Sequence, residues 1–197
     1  MDEPLACSHP NLDEMSSDKT IRVEKTMTVA VETGLWQLDT TASTVGIRHK
    51  TMWGLVTVKG TFGAIGGSGE VRPDGSAVGT LTFDVASLDT KNAKRDTHLR
   101  SADFFDADHH PEITFVARSA ELRDGDQVHI VGQLTVRGVS RPLSLTARLK
   151  DGNATGLTLE TEFSVDREQF GMGWNQLGMI RGRTTVTAGL RFVRTSG

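Results

Sequence analysis

Residues 55–62 read LVTVKGTF. In an extended chain Val56, Val58, Gly60 and Phe62 fall on one face, and Thr57, Lys59 and Thr61 fall on the other. Alternation of apolar and polar side chains with period two marks a strand buried on one side and wet on the other. The pattern extends in both directions from this stretch. Upstream, Trp36 and Leu38 alternate, and Val45, Ile47 and His49 share a face opposite Arg48 and Lys50. Downstream come Leu81, Phe83 and Val85, then Ile113, Phe115 and Ala117, then Val128, Ile130, Gly132, Leu134 and Val136. Three further sets follow: Leu143, Leu145, Ala147 and Leu149; Leu157, Leu159, Thr161, Phe163 and Val165; and Val186, Ala188, Leu190 and Phe192.

About nine strands result, with turn signals between them at Pro73-Asp-Gly75, Asp124-Gly-Asp126, Gly138-Val-Ser-Arg-Pro142 and Asp151-Gly-Asn153. The one convincing helical segment is about 95–102. Long strands in meander order without crossover helices favour an all-β fold, an antiparallel barrel of about eight strands with one short helix closing an end. The phase of each strand predicts that Phe83, Phe115 and Phe163 face the lumen, and that Lys59, Arg148 and Glu160 face water. Small residues on the inward face, Gly60, Ala64, Ala117, Gly132, Ala147 and Ala188, point to a cavity that holds one ligand. The alternative is that the glycines relieve bending in a packed core.

Composition limits the rest. Residues 1–33 hold seven acidic and three basic side chains and no Trp or Phe, and they read as an acidic, largely disordered extension in which Thr26–Val31 could add a strand. Residues 34–197 form the barrel domain and are nearly neutral, with 19 basic and 18 acidic residues. That balance leaves no basic stripe for nucleic acid. Cys7 is the single cysteine, so neither an intramolecular disulfide nor a thiolate metal cluster is expected. The acidic N-terminus does not read as a secretory signal, and Leu5-Ala6-Cys7 lacks the basic, apolar stretch of a lipoprotein leader. With no apolar run of about 20 residues, stable membrane insertion is not expected, and the default compartment is the cytoplasm.

A series of motifs carries a resemblance. In order they are Trp36-Gln-Leu-Asp39, Ser43-x-Val-x-Ile-x-His49, Gly60-x-Phe62-x-x-Ile-x-Gly67 and Leu88-Asp-Thr90. Arg95-Asp-x-His-Leu-Arg-Ser101, Asp103-Phe-Phe-Asp106, Pro111-x-Ile-x-Phe115, Gly132 to Pro142 and Asp166-Arg-x-x-Phe-Gly171 follow. From about residue 35 to 194 the sequence resembles the YceI-like family of lipid-binding proteins. The resemblance implies a lipocalin-like barrel, an interior that takes a long polyisoprenoid chain such as an isoprenoid quinone tail, and a homodimer.

The stretch RDTHLRSADFFD at 95–106 invites three readings, a lid, a polar site for a ligand headgroup, or a catalytic site. Catalysis needs a nucleophile or a second base near His98, and neither a serine elbow nor an HExxH pattern is present. The stretch reads as a lid, with Leu99, Phe104 and Phe105 turned inward and Asp96 at a helix start. His49 lies on an apolar face, where it is either a hydrogen-bonded core residue or the partner of a ligand headgroup. His49 and His98 alone make too small a ligand set for a metal. Gly171–Gly178, with Met172, Trp174 and Leu177, reads as a mouth loop or a dimer contact.

The residues expected to meet the ligand are Val45, Ile47, His49, Val58, Phe62, Phe83, His98, Leu99, Phe104, Phe105, Phe115, Leu134, Leu145, Phe163 and Trp174. The expected function is binding, storage or transport of a long apolar lipid, without catalysis, cofactor or metal. The rivals are an enzyme using His49 or His98 as base, and a structural or stress-related module with a filled core.

Overall fold

The computed structural model describes residues 31–123, 125–180 and 182–195. The segment up to residue 30, with the acidic extension and nearly all of the candidate strand at 26–31, lies outside them. Val31 itself packs against the core.

Eleven strand segments and one helix follow in order: β1 (Gly34–Leu38), β2 (Thr44–Thr51), β3 (Val56–Phe62), β4 (Ile65–Val71), β5 (Ala77–Asp84), β6 (Leu88–Asp89), α1 (Ala93–Arg100), β7 (Glu112–Arg123), β8 (Gln127–Val136), β9 (Val139–Gly152), β10 (Gly156–Val165) and β11 (Thr184–Arg194). They make eight walls, because three of the strands are broken in two. β11 pairs β10 on one side; on the other it pairs β2 through Thr185–Gly189 and β1 through Phe192–Arg194. The ring β1-β4-β5-β7-β8-β9-β10-β11 therefore closes on itself as an antiparallel meander. β2, β3 and β6 continue three of those walls toward one end.

Polar side chains fix two of the three breaks. Between β1 and β2 the Asp39 carboxylate accepts from the backbone N–H groups of Thr41 (3.0 Å) and Ala42 (3.2 Å), making a local turn in place of a ladder. Between β5 and β6 the Asp84 carboxylate accepts from Ala86 N–H at 2.7 Å.

The predicted faces hold. Lys59, Arg148 and Glu160 are exposed, and the inward sets form the core with Phe115, Ile130, Leu134 and Ala147. At the end where the N-terminal strand enters, Trp36, Leu38, Leu149 and Leu157 fill the barrel. The other end is capped by α1 and by the segment between β10 and β11.

Three sequence expectations are corrected. The helix is Ala93–Arg100 rather than 95–102, because Asn92 is its N-cap and accepts from Arg95 N–H at 3.0 Å. Val139 to Pro142 belong to β9; the turn is Arg137-Gly138 alone, both at positive φ (54° and 72°), the two-residue geometry that suits a twisted hairpin. β10 pairs β9 over Leu157–Glu160, well past Pro142, so a residue with no N–H to donate is tolerated on that edge.

The third correction concerns the inward glycines, which do not open the lumen. A Cβ on Gly60 would lie 2.9 Å from Thr90 and 3.0 Å from Leu88, and one on Gly132 would meet the Val116 carbonyl and lie 2.8 Å from the Phe115 ring. Both make room for a neighbour. Gly132→Ala should therefore destabilise the protein by about 1–3 kcal/mol through overpacking, measured as a lower midpoint in urea with an unchanged slope.

Candidate functional site

Toward the capped end the inward faces enclose a cavity of about 510 Å³. β2 contributes Val45, Ile47 and His49, β3 contributes Val58 and Phe62, and β5 contributes Phe83. Phe115, Leu134, Leu145 and Phe163 line it from β7, β8, β9 and β10, and His98, Leu99, Phe104 and Phe105 line it from the helix and the turn after it. Trp174 stands apart from the other expected residues and is not on the wall. It stacks behind the lid instead.

The cap is assembled from two chain segments. The His98 ring stands edge-on to Phe104 (5.1 Å between centroids) and to Trp174 (4.6 Å), and Phe104 tilts against Trp174 at 5.4 Å. Edge-to-face arrangements of this kind place positive ring edges on negative faces. The Arg167 guanidinium lies 5.8 Å from the Phe104 centroid, and His98 Nε2 is 3.2 Å from Asp103.

The helix is clipped to the wall by charge. Asp96 is 6% exposed and accepts from the Thr90 N–H and hydroxyl, while Arg95 donates to the Thr90 hydroxyl (2.7 Å) and carbonyl (2.8 Å). Arg100 donates to the Leu88 carbonyl at 3.0 Å. Asp96 thus holds the lid rather than decorating the helix start, and the Arg95-Asp96 pair is structural.

Polar lining gathers at the mouth. His49 Nδ1 lies 2.9 Å from the Thr184 hydroxyl, while Nε2 is buried and has no hydrogen-bond partner among the described residues. Arg167 is 6% exposed, donates to the carbonyls of Trp174 (2.9 Å) and Ile180 (3.3 Å), and forms no ion pair among the described residues. Among the described residues no carboxylate lines the cavity. Burial, and secondarily the Arg167 charge, hold the His49 pKa below the usual histidine range; burial also lowers that of Arg167.

The pH dependence follows in sign. A histidine whose folded pKa is depressed binds its proton more readily when unfolded, so its stabilising effect is present above the unfolded value and is lost as pH falls below that value and through the lowered folded one. His49→Gln should lose less thermal stability than the parent between pH 7.5 and 5.5, read as the difference between the two melting shifts.

Sequence reasoning missed Arg167 and Thr184. Arg167 was legible: the inward phase of β10 (Leu159, Thr161, Phe163, Val165), carried two residues further, lands on it. Thr184 places a hydroxyl beside His49 that no sequence motif announced. The pair still lacks the carboxylate that would orient His49 as a base, because Nε2 is empty and Nδ1 is spent on the hydroxyl.

A profile of the YceI-like domain matches residues 36–192. The chain belongs to the YceI-like family. Protein YceI of Shigella flexneri is 45% identical over 69 residues, a match that covers 35% of this chain and 36% of that protein. The chain thus aligns with about a third of the length of the curated relatives it matches. Among solved structures, BcnA of Burkholderia cenocepacia superposes with a TM-score of 0.71 at 21% identity, covering 78% of this chain and 98% of BcnA. A polyisoprenoid binding domain from Saccharophagus degradans superposes with a TM-score of 0.65 at 15% identity, over 81% and 98% of the two chains. These likenesses establish the YceI-like fold. No helix among the described residues is long and apolar enough to cross a membrane.

Proposed function

We propose that this YceI-like protein binds a long-chain apolar lipid in its lumen, a polyisoprenoid or the tail of an isoprenoid quinone, and stores or carries it without transforming it. The observation that supports this best is the cavity itself: about 510 Å³ walled mainly by aliphatic and aromatic side chains, with few polar groups among them. A chain buried there gains about 0.8 kcal/mol per methylene, less the cost of ordering it. A filled-core module would leave no such space.

The orphaned His49 Nε2 and the buried Arg167 suit a headgroup that accepts hydrogen bonds, since buried polar groups are costly when unpaired. An enzyme using the His49–Thr184 pair is the second reading, and the absent orienting carboxylate argues against it. Incubation of the protein with a polyprenyl alcohol, its phosphate and a quinone separates the readings. Saturable binding with every ligand recovered unchanged is expected; recovery of a converted product would favour the enzyme. Dimerisation, implied by family resemblance, is tested by light scattering on the same samples.

A further inference from the structure

The rim of the mouth carries apolar side chains that the barrel has no use for. Trp53 is 62% exposed, Leu55 84% and Leu177 80%, among the most exposed large apolar residues described. They come from two turns, residues 52–55 between β2 and β3 and residues 176–178 before β11. Thr51 pairs with Ile180, so the two turns are neighbours. Met52, Val56 and Ile180 line the cavity, so the exposed patch runs into the lumen wall.

Both turns hold non-glycine residues in the left-handed region: Met52 (φ 49°), Trp53 (56°) and Leu177 (55°). Bulky residues reach that conformation at a cost, and at Trp53 and Leu177 it serves no packing, because those side chains are largely exposed.

The two stretches of chain that carry these turns are free of acid, although Glu162 of β10 lies 3.5 Å from Arg48. Residues 40–69 and 169–195 contain no Asp or Glu. Lys50, Lys59 and Arg183 are exposed beside the turns, and so is Arg48, which is shared with Glu162. The carboxylates of Asp103, Asp166 and Glu168 belong to the helix side of the rim and to the end of β10.

We infer that this rim docks on an anionic lipid bilayer, with Trp53, Leu55 and Leu177 seated in the interface and the lysine and arginine flank against its charge. Tryptophan and leucine beside basic residues are the composition that binds at a lipid interface. A second copy fits less well, since a self-complementary contact would bring the same basic flank against itself. β1 begins at the opposite end, where Gly34 pairs with Val71 and Trp36 with Arg194. The inference stands apart from what fills the lumen, because the vesicle lipid is the ligand measured.

The test is flotation of the full chain with phosphatidylcholine vesicles and with vesicles of equal parts phosphatidylcholine and phosphatidylglycerol. Binding to the anionic vesicles is expected, weakened by salt and accompanied by a blue shift in Trp53 emission. The double variant Trp53→Ser, Leu55→Ser should lose roughly tenfold or more of that binding, with an unchanged melting temperature because both residues are exposed. Lys50→Glu should weaken binding to the anionic vesicles. The inference is overturned if the protein ignores both vesicles, if the double variant binds as well as the parent, or if the same substitutions instead split a dimer in light scattering without changing vesicle binding.

Discussion

Ala188→Phe abolishes most of the lipid binding and leaves the fold intact: this is the expected result of placing a ring in the lumen. Ala188 sits on β11 between Val45 and Thr161, and all three line the cavity. Both neighbours are themselves wall residues, so the new ring projects into open space rather than into a packed core. A phenyl group displaces three or four methylenes of cargo, roughly 3 kcal/mol of transfer energy. Affinity for a polyprenyl probe should therefore fall about a hundredfold, since each 1.4 kcal/mol is a factor of ten. Thermal stability should hold or rise, because filling a void restores dispersion contacts. Losing the fold instead would mean that the space is already occupied by core side chains.

Phe104→Ala acts on the lid. Phe104 is buried, and it is the piece that touches His98, Trp174 and Arg167 at once. Truncating a buried aromatic costs about 3–5 kcal/mol, and here the cost falls on closure of the cap, because none of these contacts involves the barrel strands. Local opening need not unfold the whole protein. Stopped-flow displacement should show lipid release accelerated by roughly a hundredfold with the far-ultraviolet spectrum unchanged, for an assumed lid penalty near 3 kcal/mol. His98→Gln, which keeps size and a hydrogen bond to Asp103, should change release only a few-fold.

The same residues show what the sequence made legible. The phase of every long strand could be read from period-two alternation, because one buried face leaves register little freedom. That is why Phe83, Phe115 and Phe163 point to the lumen. The closure of the ring was less accessible: β11 serves β1 with one half and β2 with the other, and nothing local to Thr184–Arg194 announces two partners. Inward glycines were ambiguous, since Gly60 and Gly132 admit neighbours' side chains and Ala147 and Ala188 border the cavity, a difference set by cross-strand partners. In the RDTHLRSADFFD stretch the lid could be read from Phe104 and Phe105. The clip could not, because Asp96 finds its partner in Thr90 through a turn that the sequence leaves unspecified. Trp174 was expected on the wall because it is apolar and near the mouth; the stack with His98 and Phe104 draws it behind the lid instead.

The most direct measurement of the central claim is native mass spectrometry of freshly purified protein, paired with organic extraction of the same sample. The expected spectrum shows a population heavier than the chain by the mass of one long-chain lipid, and extraction yields an isoprenoid or a comparable apolar chain. A bare chain mass, together with failure of the delipidated protein to take up an added polyprenyl alcohol, would contradict the account.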